Sequence, residues 1–186
     1  MTASELSTAS TVHSRARATP DYLAGYPAHL REPVLALIAQ QRFAELLLKR
    51  YPRPHEVRSD SALYDYVQAL KADTMRSAAP LSKVCFDSKL HVIRNALGTH
   101  TTISRVQGAK LQTKREIRVA TLFRELPLEF LRMIVVHELA HLRERNHDKA
   151  FYQLCQHMEP HYHQYEFDLR AYLCYRDAAG APLWSA

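Results

Sequence analysis

Residues 133–142 read MIVVHELAHL, and the rest of the chain must be arranged around this stretch. Its apolar residues favour a buried helix, and positions 137–141 carry the pattern His-Glu-x-x-His. Residues four apart share one face of a helix, so His137 and His141 can direct two imidazole nitrogens at one point. Glu138 lies about 100° around the helix from His137, beside that point. The pattern predicts two metal ligands and a base that takes a proton from a metal-activated water.

A catalytic zinc site needs a third protein ligand and one open position. His147 follows His141 by six residues, and a straight helix would carry it about 9 Å along the axis. We expect the helix to break after residues 145–146, with the chain turning back at Asn146, which tolerates the left-handed conformation. The spacing equals that of the HExxHxxGxxH pattern, but Glu144 stands where that pattern has glycine. The turn is therefore predicted to differ in geometry.

Two carboxylates on the last predicted helix, Glu166 and Asp168, are the alternative third ligands. We favour His147 because its tether to the motif is short and imidazole suits zinc. A second cluster consists of His157, His161 and His163. These histidines could bind a second metal, but we favour polar loop residues near the site. Tyr162 or Tyr165 could support an oxyanion, although packing is the simpler role for tyrosines spread along the chain.

The composition is that of a globular protein with a basic surface. The chain has 186 residues, a formal net charge of +6 and 47% hydrophobic residues. Three dispersed cysteines without a CxxC pair argue against a disulfide framework and for a reducing compartment. The first residues contain no apolar signal region, and no apolar run approaches the roughly 20 residues that span a bilayer. We expect a cytoplasmic protein without membrane contact, with a disordered tail at 1–20 and one domain at 21–186.

The first half of that domain is predicted to begin with two helices. Residues 31–50 have near-helical apolar spacing, and Pro52 and Pro54 end the helix. A second helix at about 60–75 has Ser59 or Asp60 as its cap. Its apolar stripe consists of Leu63, Val67 and Leu70.

The apolar period then changes from helical to alternating. Val84, Phe86, Leu90 and Val92 alternate with polar residues, which predicts a hairpin whose tip is at 87–88. Residues 99–106 and 114–123 read as further strands, and the second of these places Ile117, Val119 and Phe123 on one face. Helices, a small sheet and then helices again make the fold class α+β.

The motif helix is predicted to open at Pro127, a favoured first-turn residue. Its core face is formed by Leu128, Leu131, Val135, Leu139 and Leu142. Asp148 can cap a further helix that runs to about Met158. A last helix covers about 162–175, with an apolar set of Phe167, Leu169, Tyr172 and Leu173.

A run of cations precedes the motif helix at residues 104–118 and surrounds a single glycine, Gly108. Its five members are Arg105, Lys110, Lys114, Arg115 and Arg118. They could grip phosphates, or they could form the solvated face of a hairpin, and the two explanations are evenly balanced. A strand in this region could also accept an extended peptide by strand addition.

These residues together resemble the YgjP-like metal-dependent hydrolases, a zincin branch classed beside metallopeptidases. The resemblance spans about residues 22–173 and rests on the stretches at 50–71, 82–111 and 114–173. Its most specific part is HELAHLRERNHDKAF at 137–151. It implies a zincin-like fold with N-terminal helices, a small sheet, the HExxH helix and C-terminal helices. It also implies that His137, His141 and His147 hold the metal and that Glu138 is the base.

One departure bears on the substrate. Many relatives carry Trp-Gly-Ser-Cys before the zinc helix, where this chain has Val-Gln-Gly-Ala-Lys at 106–110. Their substrate therefore does not transfer directly. The nearer subgroup shares Arg-Val-Gln-Gly, found here at 105–108, and is linked to hydrolysis of nucleoside triphosphates to pyrophosphate, with UTP favoured. The resemblance thus implies a nucleotide substrate, which fits the five cations.

Three functions remain open from the sequence. The first is a zinc hydrolase of metallopeptidase type that uses Glu138 as general base on a peptide. The second is a UTP pyrophosphatase that uses the same centre, with Mg²⁺ as an additional cofactor for a nucleotide substrate. The third, a basic nucleic-acid-binding module with a structural metal, ranks last, since a structural zinc site has four protein ligands and no need for Glu138.

Overall fold

The structure, a computed structural model, describes residues 21–90 and 115–184. Within these ranges the elements are α1 (Ala28–Ala39), α2 (Phe43–Arg50), α3 (Asp60–Thr74), β1 (Lys83–Asp87), β2 (Glu116–Ala120), a 3₁₀ helix (Thr121–Glu125), α4 (Leu128–Ala140), α5 (Lys149–Met158) and α6 (Tyr162–Ala179). The predicted α+β architecture is confirmed, with the HExxH pattern at the end of α4. The tail predicted at 1–20 lies outside the described residues.

The prediction of one helix over 31–50 is wrong, because the chain forms two helices there. α1 ends at Ala39, and Gln41 adopts a positive φ of 59° before α2 begins at Phe43. Apolar spacing continues on both sides of this break, with Val34 in α1 and Leu47 in α2 both buried. The periodicity therefore carried no sign of the change in direction.

Helix α3 forms as predicted, with Ser59 as its cap. The Ser59 Oγ accepts a hydrogen bond of 3.1 Å from the Ala62 N–H. The other candidate cap, Asp60, instead accepts a 3.0 Å hydrogen bond from the Phe86 N–H through Oδ1. This contact ties α3 to strand β1, and the stripe that faces the core is Leu63, Val67 and Leu70.

Strands β1 and β2 pair in parallel, from Lys83 opposite Glu116 to Asp87 opposite Ala120. The strand predicted at 114–123 is shorter than expected, because the chain enters the 3₁₀ helix after Ala120. The turn after β1 is present, since Asp87 Oδ1 accepts a 2.8 Å hydrogen bond from the Lys89 N–H. The second arm of that hairpin and the strand at 99–106 lie outside the described residues.

Helix α4 is buried on nearly all sides, between β2 and the helices α5 and α6. Of the predicted core face, Leu131, Val135 and Leu139 are fully buried. The prediction for Leu128 is wrong, because its side chain is 44% exposed in the first turn of the helix. Leu142 lies beyond the end of α4 and is half-buried. The remaining buried positions of the helix are Phe130, Met133, Ile134, Val136, His137 and Ala140.

The two C-terminal helices follow the predicted order. Asp148 caps α5, since its Oδ1 accepts a 3.1 Å hydrogen bond from the Phe151 N–H. α6 runs to Ala179, past the predicted end at 175, and stops at Gly180, whose φ is 73°. Among the described residues, no helix is both long enough and apolar enough to cross a membrane.

His55 joins the segment after α2 to the segment that leads into α4. Its Nδ1 accepts a 3.0 Å hydrogen bond from the Val57 N–H. Its Nε2 therefore carries the proton and donates to the Phe123 carbonyl at 2.7 Å, while the His55 N–H donates to the Leu126 carbonyl. The side chain is 6% exposed, and burial is the main cause that lowers the pKa of His55.

We predict that His55 destabilises the fold in mild acid. Its pKa is lower in the folded state than in the unfolded chain, where histidine titrates near 6.5. Its stabilising contribution is thus complete above about pH 6.5 and is lost as the pH falls toward the folded-state pKa. The free energy of unfolding should drop with an extra slope of up to about 1.4 kcal/mol per pH unit.

Urea unfolding of the metal-free protein at pH 5, 6, 7 and 8 measures this slope. His55→Gln keeps a donor and an acceptor but cannot titrate, so its unfolding free energy should depend less on pH below 6.5. Equal pH slopes for the two proteins would show that His55 is not the titrating group.

Candidate metal centre

The end of helix α4 places the first two histidines. His137 is buried on the last turn of the helix, and His141 is the C-cap residue that directly follows the helix, with φ of −68° and ψ of −11°. The Glu144 N–H then donates a 2.9 Å hydrogen bond to the Ala140 carbonyl. This tight turn reverses the chain within a few residues and returns His147 to the end of the helix.

The expected path between the second and third histidine needs correction. The helix was predicted to continue to about residue 145, but it ends at Ala140. Asn146 was predicted to be left-handed, whereas positive φ among the described residues occurs only at Gln41 and Gly180. The turn therefore needs no left-handed residue, which explains how Glu144 can stand where a related pattern has glycine.

The three Nε2 atoms of His137, His141 and His147 meet at one point. The distance is 3.2 Å from His137 to His141, 3.0 Å from His141 to His147 and 3.2 Å from His147 to His137. Zinc–nitrogen bonds of about 2.05 Å at tetrahedral angles would separate two such nitrogens by roughly 3.3 Å. The spacing and the imidazole donors therefore fit one divalent metal ion. In the described part of the chain, this is the group of residues able to hold a metal.

Two of the histidines are oriented through their other ring nitrogen. The Nδ1 of His137 lies 2.7 Å from the hydroxyl of Tyr162, the first residue of α6. The Nδ1 of His141 lies 2.8 Å from the main-chain carbonyl oxygen of Glu144. Hydrogen bonds at Nδ1 leave Nε2 as the ligand atom, as second-shell partners do in metal sites.

Phe151 forms the apolar floor of the centre. Its ring centroid lies 4.9 Å from that of His137, 4.4 Å from that of His141 and 4.7 Å from that of His147. Phe151 is fully buried on α5, and Asp148 caps that helix beside the third histidine. The cap and the phenyl ring together hold the imidazoles in place. This aromatic contact had no signal in the spacing of the sequence.

Glu138 follows His137 on the helix and keeps partial exposure. Burial raises the pKa of its carboxyl group to about 7 by desolvating the charged form. Among the described residues, no cation lowers this pKa. A carboxyl group with a pKa close to neutral pH is matched to general-base work, which favours such values.

The two carboxylates considered as alternative ligands do not join the histidine group. Asp168 accepts hydrogen bonds from Arg50 at 2.8 Å and from the Tyr51 hydroxyl at 2.6 Å. Glu166 accepts from two nitrogens of Arg170, at 2.8 and 3.2 Å. Each carboxylate therefore has a structural partner. The geometry supports His147 as the third ligand.

The second histidine cluster forms no metal site among the described residues. His157, His161 and His163 are all exposed on the outer side of α5 and around the start of α6. The ring of His163 lies 5.4 Å from that of Tyr152, and the ring of His161 lies 5.8 Å from that of Tyr165. The ring of His163 also lies 5.4 Å from that of the buried Tyr162, so the cluster makes aromatic contacts at the start of α6.

The cation run is only partly described. Three of its five members lie outside the described residues, namely Arg105, Lys110 and Lys114. Arg115 is exposed immediately before β2. The guanidinium of Arg118 donates to Asp87 and to Glu116, each at 2.9 Å. The predicted role of these residues in substrate binding stays a prediction.

Tyr162 does not lie where it could support an oxyanion, the role considered for it from the sequence. Its hydroxyl contacts Nδ1 of His137, on the far side of the ring from the nitrogen that points to the metal position. The hydroxyl is fully buried, and burial raises its pKa above the ordinary value. It is therefore a neutral neighbour of a candidate ligand and faces away from the point where the three histidines meet. Nothing in the sequence spacing could pair residues 137 and 162.

Comparison with known proteins gives two matches. A family model described as "YgjP-like, metallopeptidase domain" matches residues 83–172. A protein of Escherichia coli (strain K12) named UTP pyrophosphatase is 59% identical over 152 residues, which cover 82% of this chain and 91% of that protein. No solved structure matches the chain significantly.

We predict that metal binding requires His147. In the wild-type protein, Zn²⁺ at 100 times its dissociation constant should add about 2.7 kcal/mol to the unfolding free energy. His147→Ala removes one of three ligands, so the same Zn²⁺ concentration should raise its unfolding free energy much less. The matched control is His157→Ala, an exposed histidine outside the triad, which should respond as the wild type does. Equal Zn²⁺ stabilisation of all three proteins would exclude His147 as a ligand.

Proposed function

The chain belongs to the YgjP-like family of metal-dependent hydrolases, and from this premise we propose that it hydrolyses nucleoside triphosphates, including UTP, to the monophosphate and pyrophosphate. One observation carries this proposal. The relative named UTP pyrophosphatase shares 59% identity across 82% of this chain. Similarity at that level, over nearly the whole domain, favours a common substrate class over the peptide substrate that the HExxH pattern alone suggests.

The metal centre described above would serve this reaction. His137, His141 and His147 would hold one Zn²⁺. That ion would supply Lewis acidity, lowering the pKa of water and offsetting charge on the phosphate oxygens. The three imidazoles are neutral donors, so the cationic charge of the site is available to an anionic substrate.

Glu138 would act as the general base. Its carboxylate accepts a proton as the oxygen of water bonds to the α-phosphorus. The bond between that phosphorus and the oxygen bridging to the β-phosphate breaks, and pyrophosphate leaves with the bond electrons. Glu138 then passes its proton to solvent or to the products. A carboxyl group with a pKa of about 7 is well placed to take and return a proton at neutral pH.

Peptide hydrolysis is the second candidate, because of the geometry of the centre itself. Three histidines and an adjacent glutamate on a helix suit attack on an amide carbonyl as well as on a phosphoanhydride.

We also propose a cytoplasmic location, since all three cysteines are free thiols.

The substrate test compares purified protein with UTP, the other nucleoside triphosphates and casein, each with and without a chelator. We expect chelator-sensitive release of pyrophosphate and UMP from UTP, seen as separate ³¹P resonances. Release of UDP and inorganic phosphate would place the cleavage at a different bond. Cleavage of casein without turnover of any nucleotide would favour the peptidase and overturn the proposal.

We predict that Glu138→Gln lowers the turnover number by about 10²–10⁴, the range typical of a lost general base. The amide cannot accept the proton, yet it leaves the three imidazole ligands in place, so metal content should be retained. The measurements are initial rates with UTP and metal analysis of the same sample.

The control for this change is Glu144→Gln. Glu144 lies between the ligands, but it orients His141 through its main-chain carbonyl and not through its side chain. Its turnover should remain close to that of the wild type. Wild-type turnover by Glu138→Gln would exclude Glu138 as the base.

We predict that the paired change Lys114→Ala and Arg115→Ala raises KM for UTP by about tenfold or more, because hydrogen bonds to charged phosphate oxygens are worth roughly 1.5–3 kcal/mol each. The matched control is Arg42→Ala with Lys49→Ala, which removes two exposed cations near α2. Steady-state kinetics distinguish the two pairs. If both pairs give the same KM, the cation run does not bind the phosphates.

A further inference from the structure

The first residue of α6 reaches the back of the metal centre. The Tyr162 hydroxyl lies 2.7 Å from Nδ1 of His137, and the two rings are nearly parallel, with an interplanar angle of 16°. Tyr162 is 0% exposed, so water does not compete for this hydrogen bond. The contact joins residues on two different helices, α4 and α6, that pack against each other.

A histidine ligates a metal through a nitrogen that carries no proton. The Nε2 of His137 points toward the other two histidines, so Nδ1 must carry the proton when His137 acts as a ligand. The N–H at that position then donates to an acceptor. The oxygen of Tyr162 is the acceptor in place.

A tyrosine hydroxyl can also donate, which would favour the wrong form of the imidazole. In that form the proton would lie on Nε2, which is 3.2 Å from Nε2 of each of the other two histidines, and it would block the lone pair that a metal needs. A centre ready for the metal therefore needs the Tyr162 oxygen as an acceptor.

We propose that Tyr162 is a positioning residue that holds His137 in the form with its proton on Nδ1 and so prepares the centre for the metal. This inference rests on the histidine triad as a metal centre and does not depend on which substrate is cleaved. The Nδ1 of His141 has an acceptor within its own turn, the main-chain carbonyl of Glu144. The acceptor for His137 is instead a residue 25 positions away, which the packing of the last helix places beside it.

The test is the Zn²⁺ affinity of Tyr162→Phe, measured by competition with a chromophoric chelator. The variant keeps the buried ring and removes only the hydroxyl. We expect the affinity to fall by about 10–100-fold, the usual effect of losing a second-shell partner. The melting temperature of the metal-free protein should change no more than in the control variant.

The matched control is Tyr172→Phe on the same helix. Tyr172 is 1% exposed, and its ring lies 4.9 Å from that of Trp184, which is not part of the histidine group. It should keep wild-type Zn²⁺ affinity. Equal losses in both variants would mean a general packing effect and would overturn the proposal, as would wild-type affinity in Tyr162→Phe.

The wild-type protein supplies a further measurement. The ¹⁵N shifts of the His137 ring in the metal-free wild-type protein should show the proton on Nδ1. A proton on Nε2 would refute the proposal, whether or not the variants fold.

Discussion

Helix α4 is surrounded by β2, α5 and α6, and this burial limits where polar groups can be tolerated on it. A buried polar group without a partner costs about 1–3 kcal/mol, so partners from other elements favour the polar groups that this helix carries. Arg132 pairs with Glu159 and donates to the Met158 carbonyl, just before α6. His137 meets Tyr162 at the start of that helix. The last two helices and the residues that join them thus cover the motif helix and supply partners for Arg132 and His137.

Features set by short-range geometry could be predicted from the sequence. The spacing of HExxH and the return at His147 bring the three histidines together as expected. The caps at Ser59 and Asp148 form because their side chains bond to a main-chain N–H only two or three residues away. Such patterns depend on helix geometry, which is the same in every protein. These local patterns can therefore be recognised in the sequence without knowledge of the tertiary fold.

Features set by distant contacts could not be predicted. Glu166 and Asp168 are both carboxylates near the site in sequence, and only the fold shows that Arg170 and Arg50 bind them. The break at Gln41 interrupts an apolar spacing that continues on both sides. The sequence predicted that one stripe of α4 would face the core, but the helix is buried on nearly all sides. Apolar periodicity therefore cannot identify a single core face in this helix. The cation run remains a prediction, because most of it lies beyond the described residues.

All three histidines of the centre fall within residues 137–147, a single short segment. An unfolded chain can therefore still gather them around an ion at a small loop-closure cost. Binding to the unfolded state subtracts from the stabilisation that a ligand gives the folded state. Where the unfolded chain also binds the ion, the ion stabilises the fold only by the extra affinity of the folded centre, and the proposed contact of His137 with α6 would be one source of that affinity. In thermodynamic terms, the local triad would provide affinity, and the long-range tyrosine contact would couple that affinity to folding.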